Sequence, residues 1–499
     1  MFPSPDRRPR LRRTALLVVI AALSCVIGVS VSPPAVAVQD PGLVRKINSV
    51  MADPRVQRAK SSAVVLDATT GERIYSRNGI MPRIPASNTK ILTAAAALET
   101  LGENFTFHTD VFRRNNVVNG VLTGPLYLKG YGDPTTRQSD FAALARQVKA
   151  AGITRVAGRL VVDSSYFDHV RYNAGWSTGY AADYYAAEIS ALTVAPNADL
   201  DSGTVIIRYA PGRAGQRAKI TTIPSAAAAY LDIKNLTTTS AKGTSTSFSA
   251  NRRHGSNTIT VRGRVPVGRS AGYWQITVHK PELYAGAVFR AELAKQKVKV
   301  VGSTIIADTP LSNRKRLARD RSMTLAKLLV PFMKLSNNMH AETLTKTMGR
   351  IKHGSGSWKS GLAVTTSYLR RIHVPMEGVS LTDGSGLTRR NRITGRAMVK
   401  LLYKARKEPW FGSFYRSFPV AGERERLVGG TLRNRMNHTR AAGNARGKTG
   451  TLTGVTALSG YVTGADGRKY VFAMLSNYTR GTPRPVENTF VVTLAGWRR

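Results

Sequence analysis

Between Pro85 and Gly102 the chain reads Ala-Ser-Asn-Thr-Lys-Ile-Leu-Thr-Ala-Ala-Ala-Ala-Leu-Glu-Thr-Leu, and no other stretch constrains the fold as strongly. Nearly every position is a good helix former, with a proline where a helix starts and a glycine where one stops. Apolar residues dominate it, so the helix is expected to be buried. Its first turn carries Ser87 three residues before Lys90, and positions i and i+3 share one helix face. Burial disfavours a charged amine, so a lysine there loses its proton easily. A neutral amine beside a hydroxyl is one route to an activated nucleophile. The pattern is short, however, and Ser312-Asn-Arg-Lys315 repeats it in a polar, basic run where lysine keeps its charge. Context has to decide.

The flanking sequence supplies some. Residues 61–79 read as two strands joined at Thr69-Thr70-Gly71. From Phe112 to Trp274 short β-branched runs alternate with Gly, Asn, Asp and Pro, the texture of one or two small β-rich domains. Helical patterns then return at Tyr284–Gln296, Met323–Leu335, Met339–Met348, Trp358–Arg371 and Arg396–Ala405. Thr453–Tyr461 and Tyr470–Leu475 read as paired strands, and Val486–Trp497 as a closing helix. The expected architecture is a helix-and-sheet unit split in two. Residues 38–112 form its first part, 113–274 an insertion, and 275–499 its second part.

The chain starts with Arg7, Arg8, Arg10, Arg12 and Arg13, an apolar run from Ala15 to Val31, and Ala35-Val36-Ala37. That order reads as a cleavable export signal over residues 1–37. Retention of the apolar run as a membrane anchor is the alternative, and the paired arginines leave the export route open. Cys25, the only cysteine, lies inside that run, so the mature chain has no disulfide and no thiol chemistry. The net charge is +45, concentrated towards the C-terminal end. Such a surface attracts polyanions. For an exported chain these are anionic cell-wall polymers or a membrane surface rather than nucleic acid, for which no recognition motif is present.

Two further motifs follow Ser87-Asn-Thr-Lys90 in order. Ser336-Asn337-Asn338 sits between two expected helices, and Lys448-Thr449-Gly450-Thr451 precedes an expected edge strand. Ser-x-Asn alone is weak, since Ser76 and Ser249 also begin one, but Lys-Thr-Gly occurs once. The ordered trio resembles the penicillin-binding-protein and serine β-lactamase superfamily. The long gap between Ser87 and Ser336 is similar to that of the D-alanyl-D-alanine carboxypeptidase/endopeptidase family (peptidase family S13, class C low-molecular-mass penicillin-binding proteins). So are Gly130–Pro134, Ile189–Pro196, Asn337–Glu342 and Asp383–Arg389.

The resemblance implies a transpeptidase-like α/β (α+β) catalytic domain with domains II and III inserted. It implies an exported enzyme without cofactor or metal that cleaves peptidoglycan stem peptides and is acylated by β-lactams, with endopeptidase cleavage as a further outlet. Ser87 would be the nucleophile, Lys90 its general base and Ser336 a proton relay to the leaving amine. Asn338 would hold the substrate amide and Lys90. Lys448 and Thr449 would face the terminal carboxylate, Gly450 would be a further substrate-binding residue, and the N–H groups of Ser87 and Thr451 would form the oxyanion hole. Arg389 matches a position near the peptide side-chain pocket. One departure stands out: the family's acidic segment before a run of tyrosines is here Trp176–Tyr185, with Asp183 its only acid. Preference for a free amine on the stem peptide is therefore open. The competing readings are a β-lactamase, which would turn penicillin over rapidly, and a non-catalytic wall-binding protein.

Overall fold

The computed structural model describes residues 40–498, so the export signal expected at 1–37 lies outside the described residues. No helix among the described residues is long and apolar enough to cross a membrane.

The segment Ala63-Val-Val-Leu66 is a short, fully apolar and partly β-branched run, the signature of a strand covered on both faces. It forms the strand Lys60–Asp67, which pairs antiparallel with Arg73–Arg77 on one side. On the other it pairs with Lys469–Asn477, from the far end of the chain. Val455–Thr463 and Arg446–Leu452 complete a five-stranded antiparallel sheet with Arg446–Leu452 at its edge. The two ends of the sequence are thus one sheet.

Alternation sends Ala63 and Val65 to one face and Val64 and Leu66 to the other. The first face is covered by helices Pro41–Met51 and Arg484–Gly496, through Leu43, Ile47, Phe490 and Leu494. The second is covered by a layer of helices: Thr89–Leu101, Leu325–Lys334, Asn338–His353, Trp358–Arg371 and Gly395–Ala405. Helix Thr89–Leu101 is buried from Thr89 through Leu98, as its composition requires, and ends where Gly102 turns to φ 82°.

The inserted region has its own core, from Val111 to Ala318. It holds a five-stranded mixed sheet, a small sheet of two-residue strands and two three-stranded sheets. Its frame extends beyond the 113–274 read from texture. Thr106–Arg113 pairs antiparallel with Lys315–Thr324. Helix Pro281–Lys295 buries Tyr284, Val288, Phe289 and Leu293 in the inserted core rather than in the catalytic layer. Composition marked where β texture ends, whereas the boundary is set by which core an apolar face joins. Helix Gln138–Ala150, unexpected in a β-rich stretch, buries Phe141, Leu144, Ala145 and Val148 at the i, i+3, i+4, i+7 spacing of one helix face.

Candidate active site

Ser87 lies in a single 3-10 turn, Ala86–Asn88, that leads directly into helix Thr89–Leu101. The first N–H groups of such a turn have no intrahelical acceptor. Ala86 has φ 47°, a left-handed value that costs a non-glycine residue about 1–3 kcal/mol and persists only where the surroundings enforce it. They do so from two sides. A Cβ on Gly386 would lie 1.8 Å from the Ala86 carbonyl oxygen, and one on Gly450 would lie 2.5 Å from that of Pro85. The loop 383–389 and the edge strand Arg446–Leu452 therefore clamp the turn, and only glycine permits either approach. The Asn88 side chain adds a hydrogen bond to the Lys448 carbonyl at 2.9 Å.

Lys90 is completely buried. Its Nζ donates to Ser87 Oγ at 2.9 Å, Asn338 Oδ1 at 2.6 Å and the Ser385 carbonyl at 2.8 Å. Burial pulls its pKa down to about 7, against the opposing pull of the Glu342 and Asp383 charges. The geometry then fixes the direction of the free lone pair. When Lys90 is neutral, its two protons face the amide and backbone oxygens, which can only accept. The remaining vertex points at Ser87 Oγ.

Ser336 occupies the turn between helices Leu325–Lys334 and Asn338–His353, with φ 61°. It receives a hydrogen bond from Lys448 Nζ at 2.7 Å, and the same amine donates to the Thr449 carbonyl at 2.9 Å. Lys448 is fully buried, and burial together with the Lys90 charge holds its pKa well below the usual lysine value. Asn338 uses its amide to donate to the Tyr185 carbonyl at 2.8 Å, which leaves one of its two N–H groups uncommitted. The Lys-Thr-Gly triplet lies within the edge strand, not before it: Lys448, Thr449 and Gly450 pair with Ser459, Leu458 and Ala457. Thr449 Oγ1 donates to Thr431 Oγ1 at 2.8 Å. Thr451 is exposed at the open edge.

The structure thus gathers Ser87, Lys90, Ser336, Asn338, Lys448 and Gly450 into one connected network, with Thr449 and Thr451 on the same strand. Arg389 is exposed and donates to the Thr453 carbonyl at 2.8 Å, tying the 383–389 loop to the turn after the edge strand. The Ser312-Asn-Arg-Lys315 copy lies outside this network, with Lys315 exposed at the start of strand Lys315–Thr324.

Two carboxylates that sequence reading quoted without a role hold the 383–389 loop. Glu342 Oε1 accepts from the Ser385 N–H at 2.8 Å, and its Oε2 accepts from Gly384 N–H at 2.9 Å and Trp358 Nε1 at 2.7 Å. Asp383 accepts from the N–H groups of Gly386 and Thr388, from Asn391 Nδ2 and from Trp176 Nε1. Burial and the neighbouring Asp383 charge push Glu342 up to about 7. A buried acid three positions beyond Met339 on a helix was the available signal, because a carboxylate pointing into a core needs donors there. His340, from the same segment, is a buried helix histidine bonded to the Leu200 carbonyl, not a rival site. Asp183 accepts a hydrogen bond from Tyr185 Oη at 2.7 Å, so the one acid of the tyrosine segment sits one residue pair from Asn338. No group of three or more His, Cys, Asp or Glu side chains suited to a metal ion occurs among the described residues.

Comparison with known proteins shows the family and the fold. A family model described as the D-Ala-D-Ala carboxypeptidase 3 (S13) family matches residues 43–496. The chain is 39% identical over 452 residues to the D-alanyl-D-alanine carboxypeptidase of Actinomadura sp. (strain R39), covering 90% of this chain and 84% of that protein. It is 26% identical over 422 residues to the D-alanyl-D-alanine carboxypeptidase DacB of Haemophilus influenzae, covering 82% and 83% of the two. In three dimensions it is similar to the crystal structure of penicillin binding protein 4 from H. influenzae, with a TM-score of 0.77 at 23% identity over 90% of this chain and 99% of that one.

Proposed function

The chain belongs to the D-Ala-D-Ala carboxypeptidase 3 (S13) family, and we propose on that premise that it hydrolyses the terminal D-Ala-D-Ala bond of peptidoglycan stem peptides through a Ser87 acyl-enzyme. The observation that carries the reading is Lys90, fully buried with its pKa lowered to about 7 and 2.9 Å from Ser87 Oγ.

In this mechanism neutral Lys90 takes the Ser87 proton as Oγ attacks the carbonyl of the penultimate D-alanine. The substrate carbonyl lies between the N–H groups of Ser87 and Thr451, whose loss as donors would each cost roughly 10²–10³ in rate. Ser336, held by Lys448, passes a proton to the departing amine. In its protonated form Lys448 has a third N–H beyond its two protein acceptors, and with Thr449 it would receive the terminal carboxylate, whose charge favours that form. The second N–H of Asn338 would hold the substrate amide. Arg389, at the rim, is assigned to the outer wall of the peptide side-chain pocket. Water then releases the acyl group, and the same site would be acylated by β-lactams. The catalytic unit is the five-stranded sheet with its helices; the inserted region has a core of its own but also packs Phe167, Trp176 and Ile189 against Met339, Trp358 and Leu387 and lends the Tyr185 carbonyl to Asn338.

Rapid β-lactam turnover is disfavoured by Glu342, the buried acid nearest in connectivity to Lys90. Its oxygens already accept from three N–H donors that hold the 383–389 loop and Trp358, which ties it to positioning that loop rather than to activating a deacylating water. Substrate chemistry assigns the enzyme to the extracytoplasmic wall, in keeping with the export signal in the sequence. The test is release of D-alanine from a peptide ending in D-Ala-D-Ala: wild type should release it and Ser87→Ala should not. Release by Ser87→Ala at the wild-type rate would refute the assignment.

A further inference from the structure

The inserted region carries a basic trough that the proposed chemistry does not use. In the three-stranded sheet of Asp232–Ser240, Ser247–Asn251 and Thr258–Pro266, alternation turns Ile233, Ala250, Ile259 and Val261 into the inserted core. It turns Lys234, Ser249, Asn251, Thr260 and Arg262 outward. The pairing puts Lys234, Thr260 and Asn251 in one cross-strand row, and Leu236, Arg262 and Ser249 in the next. Rows of this kind are roughly 7 Å apart along the strand.

The loop after Asn251 folds over one side of this face. Arg252 is the pin: its Nε donates to Thr277 Oγ1 at 2.8 Å and its Nη1 to the Arg253 and Ser256 carbonyls at 3.2 and 3.0 Å. The result is an open cavity of about 660 Å³ whose lining contains no apolar and no aromatic side chain. Lys234, Arg253 and Arg262 take part in no ion pair among the described residues. The one acid on this face, Asp232, sits a row beyond Lys234 and accepts from Thr258 Oγ1 at 3.1 Å.

We infer that this trough binds a linear polyol phosphodiester polymer of the wall, an inference that rests on reading the chain as a wall enzyme. Unpaired guanidinium and ammonium groups suit phosphate oxygens, with arginine able to engage two at once. The intervening Thr260, Ser249 and Asn251 suit the hydroxyls of a polyol. A nucleic-acid strand would want aromatic platforms for its bases, which the lining lacks, and a bilayer would want several apolar anchors, whereas this face exposes only Leu236, beside Arg262. The trough also adjoins the catalytic wall. His254, in its loop, packs its ring on Tyr172 at 4.8 Å, Tyr172 packs on Trp176 at 5.2 Å, and Trp176 donates to Asp383 of the active-site loop. A polymer held there keeps the catalytic groove against the matrix that contains its substrate.

The test uses the full-length mature protein and purified poly(glycerol phosphate), titrated at low and at raised salt. Three proteins are compared: wild type, Lys234→Glu/Arg262→Glu, and Lys352→Glu/Lys359→Glu, a charge-matched pair at exposed positions elsewhere. The trough variant should lose roughly tenfold or more in affinity, the control about twofold or less, and binding by wild type should weaken as salt rises. Equal losses in both variants, or none in the trough variant, would overturn the inference. Tighter wild-type binding to phosphatidylglycerol vesicles or to single-stranded DNA than to the polymer would do so as well. Fluorescent penicillin labelling is read in parallel and should be the same in all three. Polymer binding without labelling would remove the carboxypeptidase reading and leave the trough standing, whereas labelling without polymer binding would do the reverse.

Discussion

Lys90 is the residue on which the proposed chemistry turns, and its protonation gives the first prediction. Its folded pKa of about 7 lies below the ordinary lysine value. The amine is therefore a base above about 7 and a protonated ammonium below it. Acylation by penicillin, followed in stopped flow, should rise with pH through a single limb near 7 and fall about tenfold per unit on the acid side. A limb near the ordinary lysine value would mean that Lys90 is not the base. Glu342 supplies the second prediction, because its negative charge favours the Lys90 ammonium and its oxygens hold the Ser385 carbonyl on Nζ. In Glu342→Gln the charge is lost, so the limb should move to lower pH. An amide also cannot accept at both positions, so the plateau rate should fall roughly ten- to a hundredfold as the loop shifts. An unchanged profile would remove Glu342 from the positioning of Lys90.

At the scale of elements, the 3-10 turn bearing Ser87 depends on what presses against it. Gly386 has φ +81° and no room for a Cβ, whereas Gly152 has φ +79° with nothing within 4 Å. Gly152→Ala should therefore cost only backbone strain, about 1 kcal/mol. Gly386→Ala should cost roughly 2 kcal/mol or more and slow acylation as well. Denaturant unfolding of the two variants with equal losses would contradict the clamp. The same elements mark what was legible in the sequence. Helix Thr89–Leu101, the paired strands near each terminus and the four helices between Met323 and Ala405 follow from periodicity, because each buries a face that its own residues specify, whereas the short helices Phe411–Ser417 and Arg426–Gly429 were not read. The three motifs were legible because their residue types are rare in that order. The 383–389 stretch stood out by its resemblance, but its role did not, because its work is done by backbone groups: the Ser385 carbonyl and the N–H groups of Gly384, Ser385 and Gly386. Side-chain identity says little about where a backbone oxygen points. Helix Pro281–Lys295 was legible as a helix but not as part of the insertion, since nothing local to it names the core it joins.

For the whole molecule, the catalytic sheet is assembled from strands at opposite ends of the chain, with Lys60–Asp67 lying between Arg73–Arg77 and Lys469–Asn477. Helix Arg484–Gly496 closes one face through Val486, Phe490, Val491 and Leu494, all buried. Burying such side chains is worth about 1.5–3 kcal/mol each, so together they rival the net stability of a typical domain, roughly 5–15 kcal/mol. A chain truncated after Pro483 should fail to fold its catalytic unit and should take up no penicillin, as judged by circular dichroism and labelling. A folded, labelled truncation would show that the closing helix is dispensable. The positive surface belongs to this scale too, as a field that would draw the protein to polyanions, while the proposed catalysis rests on a few buried groups. The most direct check of those groups is mass spectrometry of the penicillin-treated protein after proteolysis. A single stable adduct on the peptide containing Ser87, absent from Ser87→Ala, is the predicted result; an adduct that persists in Ser87→Ala, or maps to Ser312 or Ser336, would contradict it.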